Sequence, residues 1–235
     1  MNDDFNLNRI ERFLALVNES SAEPVVLLSK SDQANNPESY VKRVQGLDSL
    51  LMVEEINCLD AKSVSKLLPW IKEGTTIAVL GSSGVGKSTL INTLIGKEQQ
   101  TTGGIREDDD KGRHTTTRRS LIALDDGGLI LDTPGMREIQ LAECKEGIAT
   151  TFADIKAYAN HCKFSNCQHQ TEPGCAVQQA IESGDLDERR LNNYFKLLRE
   201  EALNSASLNE RRANDKALGK FYKHTLSESL KLKGR

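Results

Sequence analysis

Eight consecutive residues constrain this chain more than any others: Gly81-Ser82-Ser83-Gly84-Val85-Gly86-Lys87-Ser88, which fits GxxxxGK[ST]. Thr75 to Leu80, just ahead, is an apolar run of strand length, and Leu90, Ile91, Leu94 and Ile95 follow at helical spacing. Strand, glycine-rich turn and helix is the context a phosphate cradle requires. The glycines let backbone N–H groups turn inward, and the helix N-terminus adds about half a positive charge. Lys87 is expected to reach the β- and γ-phosphates and Ser88 to offer its hydroxyl to Mg²⁺, with Thr89 beside them in the first turn of the helix. The plain alternative is a glycine-rich turn that binds nothing.

Two further segments decide what such a cradle would hold. Asp132-Thr133-Pro134-Gly135 follows the buried run Leu129-Ile130-Leu131, so a carboxylate emerges at a strand end, where it can hold magnesium through water. Gly135 is expected to offer its N–H to the γ-phosphate. Ser29-Lys30-Ser31-Asp32 follows the apolar run Val25 to Leu28 and is similar to the NKxD box of GTPases, with Ser29 in place of Asn. In that box the Asp accepts hydrogen bonds from guanine N1–H and the exocyclic amine, a pattern adenine does not present, and the Lys stem lies along the base. Asn57-Cys58, after Val53 to Ile56, stands where such proteins carry a Ser-Ala pair whose backbone approaches the guanine.

Along the chain, Ile10, Phe13, Leu14 and Val17 mark an opening helix, Glu38 to Gln45 a second, Leu50 to Ile56 a strand, and Ala61 to Ile71 a further helical stretch. Strands alternating with helices predict an α/β fold with a parallel sheet. Leu121 to Leu124 and Leu129 to Leu131 flank Asp125-Asp126-Gly127-Gly128 as an antiparallel hairpin. Gln99 to Arg119 has no periodic apolar face and is expected to be mobile without ligand. From Thr151 the chain turns polar, cysteine-bearing and then helical, with Leu191, Tyr194, Phe195 and Leu198 on one face. The domains are therefore placed at 1–150 and 151–235.

Composition narrows the setting. The longest apolar run falls far below the ~18 residues of a membrane span. The acidic start MNDDFNLNR lacks the basic and apolar regions of a signal peptide, so a cytoplasmic protein is expected. Residues 189–235 hold twelve Lys/Arg against five Asp/Glu; since the whole chain carries −3, the remainder carries −10. A basic C-terminal stretch with Phe221 and Tyr222 suits phosphate contacts to RNA, and equally a solvated tail.

The five cysteines form no framework of pairs, but Cys162-x4-Cys167-x-His169-x5-Cys175 gathers three thiols and an imidazole within fourteen residues. That set suits a closed tetrahedral Zn²⁺ site, structural rather than catalytic. In a segment with little core of its own, the metal would supply much of the local folding energy. Cys58 and Cys144 read otherwise as small buried or half-buried residues.

In ordinary GTPases the guanine box follows the phosphate loop; here Asp32 precedes it by roughly fifty residues, a circular permutation. Together with Gly112-Arg113-His114-Thr115-Thr116-Thr117 and the cysteine cluster, the chain from about Asn6 to Lys223 resembles the ribosome small-subunit-dependent GTPase family, RsgA or YjeQ. The resemblance implies a permuted Ras-like G domain followed by a small helical zinc domain, with GTP/GDP, Mg²⁺ and Zn²⁺ as ligands. It implies GTP hydrolysis in late maturation of the small ribosomal subunit, with that subunit and its 16S rRNA as partners and a monomeric enzyme. Members begin with an OB-fold ahead of the guanine box, and the residues before Ser29 are too few for one, so the expectation is either a truncated sequence or a protein without that anchor. Met136 follows Gly135 where many GTPases place a water-orienting Gln, which moves that role to His114. By resemblance Thr116 is the switch residue that coordinates Mg²⁺. Two rivals stay open: a permuted GTPase of the large subunit, and a GTP-dependent rRNA-binding module with negligible hydrolysis.

Overall fold

The computed structural model describes residues 5–96, 120–124, 127–132 and 140–206. Two compact units divide the chain, Met1–Ile139 and Gln140–Arg235, a division that falls ahead of residue 150.

In the first unit α1 spans Leu7–Glu19, capped by the Asn6 side chain, which accepts from the Arg9 N–H at 3.2 Å. Its apolar stripe, Leu7, Ile10 and Leu14, packs with Leu28, Val44 and Leu51. Next come β1 (Val25–Leu28), a 3₁₀ turn over Ser31–Gln33, α2 (Pro37–Gln45) and β2 (Met52–Glu55). The predicted helix over 61–71 is cut short. Only Ala61–Val64, α3, is α-helical, and Ser65–Trp70 tightens into a 3₁₀ turn around Pro69, which has no N–H to continue the α ladder. Then follow β3 (Thr76–Val79), α4 (Lys87–Ile95), β4 (Ser120–Ala123) and β5 (Leu129–Asp132).

The strands form two hydrogen-bonded pieces where a single parallel sheet was expected: β1 parallel to β2, and β3-β5-β4 with β3 parallel and β4 antiparallel to β5. The antiparallel pair is the predicted hairpin, closed by Leu124 N–H to the Gly128 carbonyl at 2.9 Å. Gly128 has no room for a side chain, since a Cβ there would stand 2.9 Å from Ile71 Cγ2. One apolar cluster draws on both pieces: Ile56, Cys58, Val64, Leu67, Ile71 and Leu90 are buried together, with Leu27 of β1 and Ile77 and Val79 of β3 against them. Burying a side chain of this size contributes about 1.5–3 kcal/mol each, so this cluster fixes the loops at the strand ends.

The second unit contains α5 (Lys145–Thr151), α6 (Ala153–Ala159), α7 (Ala176–Ser183) and α8 (Glu188–Ser205). Its core lies largely in these helices, whereas of the cysteine-bearing segment 162–175 only Cys175 is buried. Leu141, Ile148, Phe152, Ile155, Val177, Leu191 and Leu197 are all buried. Arg190 is buried among them, donating to both Asp154 oxygens at 2.7 and 2.9 Å and to the Thr151 carbonyl at 2.8 Å, with its guanidinium 4.8 Å above the Phe152 ring centre. Among the described residues no helix is long and apolar enough to cross a membrane.

Candidate functional site

The loop 81–88 joins β3 to α4, as its sequence predicts. Gly84 and Gly86 adopt φ of 78° and 98°, the left-handed region that lets the chain fold back on itself. Lys87 Nζ lies over this turn and donates to the carbonyls of Gly81 and Ser82 at 2.8 and 2.7 Å. An ammonium has three donors, so the arrangement presents the lysine to an anion while the loop holds its position. Burial lowers the Lys87 pKa, and the carboxylate of Asp132 acts in the opposite direction. Asp132 stands at the end of β5, in register with Val79 of β3, and is itself buried. The acid, the lysine and the loop therefore converge at the ends of two parallel strands, where such sheets bind ligands.

The segments expected to read the base reach the same place from the other side. Lys30 is left-handed, with φ 59°, and turns the chain after β1 so that Ser31 N–H meets the Ile56 carbonyl at 3.3 Å. Asn57 and Cys58 follow β2. The Asn57 side chain accepts from Leu59 N–H at 3.0 Å, and its own N–H donates to Ser63 Oγ at 2.9 Å. Cys58 is the joint between the two halves: a Cβ on Gly86 would lie 3.5 Å from its Sγ, and its thiol is raised by burial and then by the Asp32 carboxylate, with Lys30 acting the other way. Cys58 thus lies beside Gly86 of the 81–88 loop and within the field of Asp32 and Lys30, with Ser29 following β1 and Asn57 following β2.

His114, Thr116 and Gly135 lie outside the described residues, as do the whole stretch Gln99–Arg119 and the basic stretch after residue 206. Sequence reasoning missed two residues that brace this site, Arg9 and Thr93. Neither belongs to a motif: one is a charged residue on the flank of a helix, the other a threonine in the middle of one.

In the second unit the four metal-type residues come together. The ligand atoms of Cys162, Cys167, His169 and Cys175 all lie within 4.8 Å of one another. Cys162 Sγ is 3.9 Å from Cys175 Sγ, and each of these sulfurs is 3.5 Å from His169 Nδ1. A tetrahedron with metal–sulfur bonds of about 2.3 Å has sulfur–sulfur edges of about 3.8 Å, so the donors have the spacing of one ion. His161 is exposed and stands outside the set. The loop that carries the ligands is tied by Glu172, whose carboxylate accepts from the N–H groups of Gln168, Gln170 and Thr171 at 2.9, 2.9 and 3.1 Å. Those donors, Gln168 first, hold its pKa down to about 2.

A phosphate loop on a strand-to-helix turn, an acid at the neighbouring strand end, and the Ser29–Asp32 segment supplied from earlier in the chain are the arrangement of a circularly permuted P-loop GTPase. A model of the RsgA GTPase family matches residues 1–142, and the chain belongs to that family. It is 58% identical over 233 residues to "Small ribosomal subunit biogenesis GTPase RsgA 2" of Vibrio vulnificus, covering 99% of this chain and 67% of that protein. It is 45% identical to "Small ribosomal subunit biogenesis GTPase RsgA" of Methanosarcina acetivorans, covering 83% of this chain and 53% of the relative. Among solved structures, YjeQ from Thermotoga maritima superposes with a TM-score of 0.56 at 26% identity, covering 84% of this chain and 68% of that one. YloQ, described as a circularly permuted GTPase, gives 0.55 at 26% identity, covering 85% and 64%. The chain spans about two thirds or less of the curated relatives it matches.

Proposed function

We propose that this chain binds GTP with Mg²⁺, hydrolyses it to GDP and phosphate, and does so in maturation of the small ribosomal subunit. The observation that carries the reading is the junction at Cys58, which stands against Gly86 of the phosphate loop and within the field of Asp32. An anion cradle and a carboxylate on either side of Cys58 match a triphosphate that carries guanine at one end.

In this reading Asp32 accepts from guanine N1–H and the exocyclic amine, Lys30 lies along the base, and the backbone at Asn57 and Cys58 borders it. The amides of 81–88 and the Lys87 ammonium hold the phosphates. The hydroxyls of Ser88 and Thr116 would hold Mg²⁺, with Asp132 doing so through water, and the ion would offset charge on the phosphates. His114 orients the water that attacks the γ-phosphorus; the bond to the β-phosphate oxygen breaks, and GDP leaves with that electron pair. Cys162, Cys167, His169 and Cys175 would hold Zn²⁺, which would tie their loop together. Contacts of the basic C-terminal stretch with 16S rRNA add salt-sensitive affinity. The protein works as a monomer on small ribosomal subunits in the cytoplasm; the relatives' names support the ribosomal part of this reading.

Phosphate release measured with no ribosomal particle, with small subunits and with large subunits tests the reading. Sharp stimulation by small subunits alone is expected, with His114→Ala keeping nucleotide affinity and losing the stimulated rate. Stimulation by large subunits, equal use of ATP, or stimulated turnover unchanged in His114→Ala would each overturn the corresponding part.

A further inference from the structure

The guanidinium of Arg9 reaches from α1 across the fold to the phosphate loop, Nη1 donating to Ser82 Oγ at 2.9 Å in a part-buried setting. The two residues are 73 positions apart in the chain. Arg9 stands on a helix that cannot easily yield, because Leu7, Ile10 and Leu14 of α1 are held in the cluster with Leu28, Val44 and Leu51. Ser82 in turn passes the contact on: its carbonyl accepts from Lys87 Nζ at 2.7 Å. One loop residue is therefore held at its hydroxyl by Arg9 and at its carbonyl by Lys87.

A loop with glycines in left-handed conformations gives up more backbone freedom on ordering than any other kind of segment. If that cost falls at the moment of ligand binding, affinity drops by the same amount; a contact that orders the loop beforehand restores it. We infer that Arg9 is a positioning residue for the phosphates of the bound nucleotide, acting through Ser82. It holds the start of the cradle in its anion-ready form from a packed helix that none of the nucleotide motifs includes. The inference rests on the nucleotide reading of the 81–88 loop given above. It also gives position 82, which GxxxxGK leaves open, a defined requirement: a side chain able to accept a hydrogen bond.

Titration of the full chain with a fluorescent guanine nucleotide tests this, using Arg9→Ala, Ser82→Ala, the double variant and Arg9→Lys. Loss of one charge-assisted hydrogen bond is expected to weaken GDP and GTP binding about tenfold in each single variant. The double variant should bind no more weakly than either single one, because both remove the same contact. Arg9→Lys should recover part of the loss, KM should rise with kcat little changed, and the thermal midpoint of the nucleotide-free protein should stay near that of the unaltered chain. Unchanged binding in Arg9→Ala, additive losses in the double variant, or a loss seen only as unfolding while Ser82→Ala binds normally would overturn the inference. Lys87→Ala in the same titration separates the two levels. If the unaltered chain binds and Lys87→Ala does not, the nucleotide reading stands whatever Arg9 does; if the unaltered chain does not bind, both fall.

Discussion

Thr93 Oγ1 donates to the main-chain carbonyl of Cys58 at 2.7 Å, so the helix that grows out of the phosphate loop also holds the loop that follows β2. The base side and the phosphate side of the site are fastened to one rigid element. Thr93→Val keeps the shape and removes the donor, leaving a part-buried carbonyl without this bond. It is expected to cost about 1 kcal/mol in urea unfolding and to weaken guanine nucleotides several-fold, while Thr93→Ser keeps both. Nucleotide affinity equal to the unaltered chain would show that the two halves do not depend on this tie.

Asp32 is the group whose replacement should change which base is accepted. A carboxylate offers two acceptors to guanine N1–H and its amine, whereas Asn presents a donor in one of those positions. Two charge-assisted hydrogen bonds at about 1.5 kcal/mol each correspond to about a hundredfold loss of GTP affinity in Asp32→Asn. Xanthine carries a carbonyl where guanine carries the amine, so the same variant should gain affinity for xanthine nucleotides. Competition titrations with GDP, XDP and ADP read both effects.

The second unit should hold one zinc ion per chain, measured by elemental analysis of protein purified without added metal. Cys167→Ser should abolish it, and a strong chelator should lower the unit's thermal midpoint, because ligation and local folding are one equilibrium. Zinc needs thiolates, so affinity falls as pH falls. Glu172 acts in a different window. Its pKa in the folded protein, about 2, is below its ordinary 4.5, so its contribution is complete above that ordinary value and is lost only as pH falls toward 2. Release of zinc on acidification should therefore begin well above pH 4.5 and follow the thiols. Glu172→Gln should weaken zinc about tenfold at neutral pH, as loss of a residue that orders the ligand loop does. A colorimetric chelator assay across pH follows both.

Arg190 is buried, with its side chain 5% exposed, and it bonds to an Asp154 that is 40% exposed. Removing the acid takes away both charge-assisted hydrogen bonds to Asp154, while the Thr151 carbonyl and the Phe152 face stay in place. Because water reaches the Asp154 side, Asp154→Ala is expected to cost about 2 kcal/mol, below the range for a fully buried pair. Arg190→Met, which fills similar volume without a charge, should cost less. Denaturant unfolding of the two variants, with zinc kept bound, gives the order; the reverse order would show that the pair, not the packing, holds these helices.

Much of this protein is written locally. The 3.6-residue stripe of Ile10, Leu14 and Val17 marks α1, and the apolar run Val25–Leu28 is β1. GxxxxGKS, the acid at Asp132 and the four metal donors were legible because each depends on spacing within a few residues. What misled was also local: the pattern of Val64, Leu67, Leu68 and Ile71 is helical, but Pro69 turns it into a 3₁₀ coil. Phe152 and Ile155 stand among polar neighbours, and only packing reveals that both are buried.

The order of the motifs along the chain was enough to name the permutation, since order is a property of sequence alone. Whether Asp32 and Gly86 share one site was not, because chain separation says nothing about distance once strands pair in parallel and loops close at their ends. Cys58 between those two residues, Thr93 on the Cys58 carbonyl, and Arg9 on Ser82 are contacts between segments tens of residues apart. Each is decided by how burial of apolar faces sets the helices against the strands, and no residue type or interval announces it in advance.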